Sequence, residues 1–108
     1  AVYTGSFEND VKSGYGVMLY ENHDKYEGTF KNDVREGKGR YEWTDQGESY
    51  VGNFHNNKMD TRLVDSEGSF VKKEDGTYQH GEPAVYYFAN NRTYTGYFED
   101  GVVVPVEF

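Results

Sequence analysis

One five-residue pattern, Tyr-x-Gly-x-Phe, occurs four times in this chain, at Tyr3-Gly5-Phe7, Tyr26-Gly28-Phe30, Tyr50-Gly52-Phe54 and Tyr94-Gly96-Phe98. The starts lie 23 and 24 residues apart and then 44, close to two further periods. Self-similarity at this spacing marks a chain built by laying down one supersecondary unit again and again, each touching only its neighbours. Such a fold offers surfaces rather than a central pocket, and function has to be sought there.

The unit itself can be read. After each Phe comes a polar turn, Glu8-Asn9-Asp10, Lys31-Asn32-Asp33, His55-Asn56-Asn57 or Glu99-Asp100-Gly101. Asn, Asp and Gly tolerate the left-handed backbone that tight hairpins demand. In the first two units a Gly-x-Gly follows, Gly14-Gly16 and Gly37-Gly39, and opens a second apolar run, Val17 to Tyr20 or Tyr41 to Trp43. A second polar turn leads to the next Tyr, so each unit predicts one β-hairpin. The glycine pairs do not read as a phosphate loop, since no Lys-Ser/Thr and no helix follow them.

The stretch Tyr-Glu-Gly-Thr-Phe-Lys-Asn-Asp-Val-Arg-Glu-Gly-Lys-Gly-Arg-Tyr at 26–41 resembles the consensus of the MORN repeat, the membrane occupation and recognition nexus motif. The resemblance holds over residues 3–54 and returns at 94–98. Between 55 and 93 it decays. Thr61 and Leu63 stand where a glycine pair belongs, and Gly81 with Pro83 marks the next. Counting back from Tyr94 puts Phe70, Lys72 and Glu74 at the signature positions; a second register uses Gly68-Ser69-Phe70, with Asp75-Gly76 as a separate turn. Both remain open, and the stretch reads as two degenerate hairpins. The expected array is one domain with units at about 3–25 and 26–49, degenerate units at 50–69 and 70–93, and a partial unit at 94–108. The expected fold is all-β, an elongated twisted antiparallel sheet of consecutive hairpins. At about 4.8 Å between strands, nine or ten strands in sequence order would extend about 45 Å.

Composition fits a single sheet. Only 35% of the 108 residues are hydrophobic, too few for two packed layers, but 18% are aromatic, 11 of them Tyr. Each ring buries a large area, and glycine leaves room for it to lie across the backbone. The chain has no cysteine, which excludes disulfides and thiolate metal sites and accords with an intracellular setting. It shows neither a bilayer-length apolar stretch nor a signal peptide. Beginning just before a signature, it reads as a fragment of a longer array.

Alternation with a period of two separates the faces. In the second unit Tyr26, Gly28, Phe30, Gly37, Gly39, Tyr41 and Trp43 share one face, while Glu27, Thr29, Lys31, Lys38, Arg40, Glu42 and Thr44 take the other. Most signature residues read as scaffold: Tyr3, Gly5, Phe7, Gly14, Gly16, Gly28, Phe30, Gly37, Gly39, Gly52, Phe54, Tyr94, Gly96 and Phe98. Tyr26, Tyr41, Trp43 and Tyr50 are the candidate partner-binding residues, because Trp43 is the only Trp and Trp and Tyr dominate interface hot spots. The alternative is that these rings are consumed in packing. Tyr15, Val17 and Leu19, and again Val85 to Phe88, place apolar residues on the otherwise polar face, either as packing under a terminal segment or as a partner patch. The apolar end, Val102 to Phe108 with Pro105, reads as a closing strand or as one that pairs with another copy or a partner.

Chemistry finds little foothold. His23, His55 and His80 fall in turns or linkers without a second His at metal spacing, and read as solvated. The 19 acidic residues read as screened and unperturbed. No catalytic residue, metal or cofactor is expected. The resemblance implies either membrane or phosphoinositide association or a protein-binding scaffold in cytoskeletal or ciliary assemblies; a third setting is a regulatory region of a larger enzyme. A net charge of −8, with basic residues interleaved among acids, argues against direct binding to anionic lipid or nucleic acid. The expected partner is a protein segment pairing Lys or Arg with apolar anchors, in the cytoplasm, cytoskeleton or cilium.

Overall fold

The computed structural model describes residues 1–104. Pro105 to Phe108, the greater part of the apolar terminal segment, lie outside the described residues. Among the described residues nine strands form: β1 Val2–Glu8, β2 Val11–Leu19, β3 Lys25–Lys31, β4 Val34–Trp43, β5 Glu48–His55, β6 Lys58–Met59, β7 Ala84–Tyr87, β8 Thr93–Glu99 and β9 Val102–Val104. Every pairing is antiparallel, in the order β1-β2-β3-β4-β5-β7-β8-β9, with β6 beside β5. The described chain measures 43 × 39 × 16 Å, one sheet thick.

The turns form where Asn, Asp and Gly allow them. Asn9-Asp10, Asn32-Asp33, Asn56-Asn57 and Asp100-Gly101 all carry two successive positive φ angles, between 50° and 84°, the conformation whose twist matches paired strands. Past the first two turns the register slips, between Gly5 and Phe7 and between Gly28 and Phe30. The bulged strands there hold Gly14 and Gly37 at φ of 81° and 90°, which explains the first glycine of each pair.

The second glycine serves packing. Gly5, Gly16, Gly28, Gly39 and Gly52 stand opposite one another from strand to strand, and Ala84 pairs with Gly96 to carry the row on. Each signature Tyr lies over this row. A Cβ on Gly28 would come within 2.5 Å of the Gly39 backbone and 2.7 Å of the Tyr26 hydroxyl. That hydroxyl donates to the Thr29 carbonyl at 2.9 Å, as Tyr3 does to Ser6 and Tyr50 to Asn53 at 2.8 Å.

From there each Tyr reaches the Phe of the next unit. Tyr3 meets Phe30, Tyr26 meets Phe54 and Tyr50 meets Phe98, all edge-on with centroids 5.1 Å apart. The ladder is the core: Tyr26, Phe30, Tyr50, Phe54, Ala84 and Phe98 are its buried members. Edge-on rings satisfy the aromatic quadrupole while removing large apolar area from water.

The stretch after β6 departs from the expected pair of hairpins at 50–69 and 70–93. Tyr50 pairs with Tyr86 and Val51 with Val85, as Tyr26 pairs with Tyr41 and Glu27 with Arg40. β5 and β7 are therefore one hairpin, its second strand begun at Lys58–Met59, broken, and resumed at Ala84. The 44-residue step from Tyr50 to Tyr94 is one period plus an insertion, not two periods. Ala84 takes the second glycine's place, not Leu63. Between Arg62 and Pro83 the chain makes an arm of short legs held by the bridges Arg62–His80, Val64–Phe70 and Lys72–Tyr78. Its turns carry positive φ at Gly68 and Gly76, so Phe70 holds no signature position.

Candidate partner-binding surface

The signature Tyr positions and their cross-strand partners, Met18, Tyr41 and Tyr86, share one face. Beside the buried ladder runs a second line of rings. Tyr20 stacks on Tyr41 at 5.8 Å, and tilted contacts carry the line on from Tyr41 to Trp43 at 4.8 Å, Trp43 to Tyr86 at 5.5 Å and Tyr86 to Phe88 at 4.9 Å. Tyr20, Tyr41, Trp43 and Tyr86 are half-buried and Phe88 is exposed.

The four candidate residues divide accordingly. Tyr26 and Tyr50 have no exposed surface at all and cannot touch a partner, because the next unit's Phe and the glycine row enclose them. Tyr41 and Trp43 do present surface. Sequence reasoning missed Tyr20, Tyr86 and Phe88, although counting back six or seven residues from the following signature Tyr finds Tyr20, Trp43 and Phe88 at one position.

Acidic groups border this stripe. Tyr41 donates its hydroxyl to Asp24 Oδ2 at 2.9 Å and Tyr86 to Glu48 Oε1 at 2.9 Å. Burial, aided by the adjacent Glu48 carboxylate, pushes the Tyr86 hydroxyl up to about 12. Burial and Asp24 likewise raise Tyr41. Glu21 and Asp45 are exposed in the same two loops. Between ladder and stripe lies Arg35, its guanidinium 5.1–5.9 Å from the centres of Tyr20, Tyr26, Tyr41 and Phe54. It donates to the Tyr20 hydroxyl and the Asn57 carbonyl, each at 2.7 Å.

The opposite face carries the arm. A cleft of about 780 Å³ separates Leu63, Val64 and Pro83 from Val51, Val85 and the glycine row, with Lys38 and Glu82 paired at 3.2 Å. Val85 thus faces the arm, whereas Tyr15 and Leu19 stay uncovered, at 59% and 47% exposure. No terminal segment among the described residues packs over them.

The arm's root corrects two further expectations. Asp60 is 1% exposed. It accepts from Arg62 Nε at 2.9 Å and Nη2 at 2.5 Å and from the Asp100 amide at 3.0 Å. Burial alone would raise this carboxyl, but those donors together hold it below the usual range. His80 is not solvated either: Nδ1 bonds Thr61 Oγ1 and Nε2 bonds Glu99 Oε2, both at 2.7 Å. His55 bonds Glu36 at 2.7 Å and its ring meets Phe70 at 4.8 Å. The insertion folds back onto the sheet and brings these groups together from distant sequence.

A single open sheet of tandem hairpins, glycine-rowed and aromatic on one face, defines a β-hairpin repeat protein. Residues 3–25, 26–48 and 50–60 match the sequence model of the MORN repeat. That is more than half of the chain, and it belongs to the MORN repeat family. MORN repeats occur in protein-interaction and membrane-associated modules. A search of curated protein sequences returned no match.

Proposed function

We propose that this array is a noncatalytic protein-interaction scaffold, in a cytoskeletal or ciliary assembly, that holds a partner segment along the stripe Tyr20-Tyr41-Trp43-Tyr86-Phe88. The supporting observation is the contrast between two lines of rings on one face, one sealed inside the ladder and one left half-exposed. Half-exposed Tyr and Trp supply contact area at small rotamer cost and offer polar edges to a partner's backbone. Glu48, Glu21 and Asp45 along the stripe favour a segment that flanks apolar anchors with Lys or Arg. The same carboxylates oppose an anionic lipid surface.

The test begins with the partner recovered by pull-down with the full-length protein. Trp43→Ala should then cost about 2 kcal/mol or more of affinity while the sheet spectrum and unfolding midpoint show a folded protein. Unchanged affinity in a folded Trp43→Ala protein would sink the proposal, as would tight sedimentation with phosphoinositide vesicles lost on neutralising Lys31, Lys38 and Arg40.

A further inference from the structure

The open rings of the stripe stand on alternate strands. Tyr20 directly follows β2, its amide bonded to the Asp24 carbonyl at 2.9 Å; Tyr41 and Trp43 lie on β4; Tyr86 lies on β7, with Phe88 just past its end. The strands between them, β3 and β5, give Tyr26 and Tyr50 to the sealed ladder. The register makes the spacing regular. Met18 pairs with Tyr26 and Tyr26 with Tyr41, then Tyr41 with Tyr50 and Tyr50 with Tyr86. Each step, from the Tyr20 site to that of Tyr41 and Trp43 and on to that of Tyr86 and Phe88, therefore crosses two strand spacings, about 9.6 Å.

A partner lying along the stripe has to present side chains on one side of its axis at that interval. A polyproline II helix does so, since three residues rising about 3.1 Å each complete a turn in about 9.3 Å. An α-helix turns every 5.4 Å or so, and two turns overshoot each step by about 1.2 Å, a mismatch that doubles at the next site. A β-strand covers three residues in about 10 Å, but residues three apart point to opposite sides.

The polar groups on the stripe suit the same occupant. Proline has no backbone N–H to bury against a ring face, and its carbonyl asks only for a donor. The Tyr20 oxygen accepts from Arg35 Nη1 at 2.7 Å, which leaves its own O–H to donate, and Trp43 adds an indole N–H. Aromatic-lined surfaces take Pro-rich segments because the polyproline conformation is already formed in the free chain, so little entropy is lost on binding. Glu21, Asp45 and Glu48 border the rings and match basic residues at the segment's ends.

We infer, on the reading of the stripe as the partner-binding surface, that its occupant is a proline-rich segment in the polyproline II conformation. One three-residue turn sits on each of the three ring sites, and Lys or Arg stands at the segment's ends.

Isothermal titration of the full chain with synthetic peptides reads this. The first peptide carries three Leu-Pro-Pro repeats with an Arg at each end, and saturable binding tighter than about 1 mM is expected. Replacing its prolines by alanine, or both Arg by Glu, should weaken binding about tenfold or more. A two-repeat peptide should bind more weakly than three repeats. Phe88→Ser, at 41% exposure, should lower the three-repeat affinity to that of two repeats and leave the two-repeat affinity nearly unchanged. Far-UV spectra check its fold, and Tyr20→Ser gives the same reading from the other end of the stripe. Absence of saturable binding by the three-repeat peptide overturns the inference, as does an alanine peptide that binds equally well or a folded Phe88→Ser protein that keeps the full three-repeat affinity. If the proline peptides fail while Trp43→Ala still weakens binding of the recovered partner, the stripe holds a segment of another conformation. If Trp43→Ala also leaves that partner's affinity unchanged, the stripe is not the binding surface and both readings fall.

Discussion

The rings of Tyr50 and Phe98 meet at 5.1 Å and 87°, the geometry in which Tyr26 meets Phe54 at 5.1 Å and 89°. Neighbouring units therefore touch across the insertion as though it were absent. Replacing residues 61–83 by Gly-Lys, the pair found at Gly37-Lys38, should leave a folded sheet with Tyr50 still on Phe98. Through-space proton contacts between those two rings in an NMR spectrum check it. A shortened chain that keeps its strands but loses that contact would show that the arm supplies a unit of its own.

The glycine row should be less tolerant than the turns. A Cβ at Gly28 runs into the Gly39 backbone and one at Gly39 into the Tyr26 ring, whereas one at Gly47 meets nothing within 4 Å, although φ there is +71°. Gly28→Ala and Gly39→Ala should each cost about 3 kcal/mol, at the upper end of overpacking penalties. Gly47→Ala should cost about 1 kcal/mol from backbone strain alone. Urea midpoints rank them; equal losses at all three would mean that conformational strain, not ring packing, fixes the row.

Hairpins and turns were legible because each rests on local chemistry repeated in register: Asn-Asp at the left-handed turns, and Gly placed so that a Tyr can lie flat. The arm was not, because its anchoring is non-local. Asp60 meets the Asp100 amide and His80 meets Glu99 only once β8 has docked beside β7, and no spacing in the sequence encodes that. Half of the candidate site failed for a related reason. Tyr26 and Tyr50 sit on the aromatic face like Tyr41 and Trp43, and alternation assigns a face but says nothing of which rings the next unit will cover.

Acid should loosen the arm's root first. The Asp60 carboxyl is held below its usual range, so its folded pKa lies under the unfolded value of about 3.9. A depressed carboxylate contributes stability above the unfolded pKa and loses it as pH falls through the folded one. Stability should therefore drop below about pH 4. Asp60→Asn, which leaves Arg62 without its counter-charge at 9% side-chain exposure, should cost about 3 kcal/mol near neutrality and flatten the acid limb. Urea unfolding of both proteins at neutral and acid pH measures it, and parallel acid limbs would move the effect to other carboxylates.

Alkali should act on the stripe through Tyr86. Its hydroxyl is pushed up to about 12 by burial and then by Glu48, whose Oε1 it donates to at 2.9 Å. A folded pKa above the unfolded value of about 10 means that the neutral phenol contributes stability fully below pH 10 and loses it as pH rises toward 12. Burial raises Tyr26, Tyr41 and Tyr50 in the same direction, so several phenols should ionise together with unfolding. The tyrosinate absorbance should then rise in step with loss of the strand spectrum rather than ahead of it. Tyr86→Phe should cost about 2 kcal/mol at neutral pH, one hydrogen bond to a charged acceptor, and part of that deficit should disappear as pH climbs past about 11, where the wild-type phenol is losing its advantage. A deficit unchanged up to the pH of unfolding would show that Tyr86 contributes through ring contacts with Trp43 and Phe88 alone.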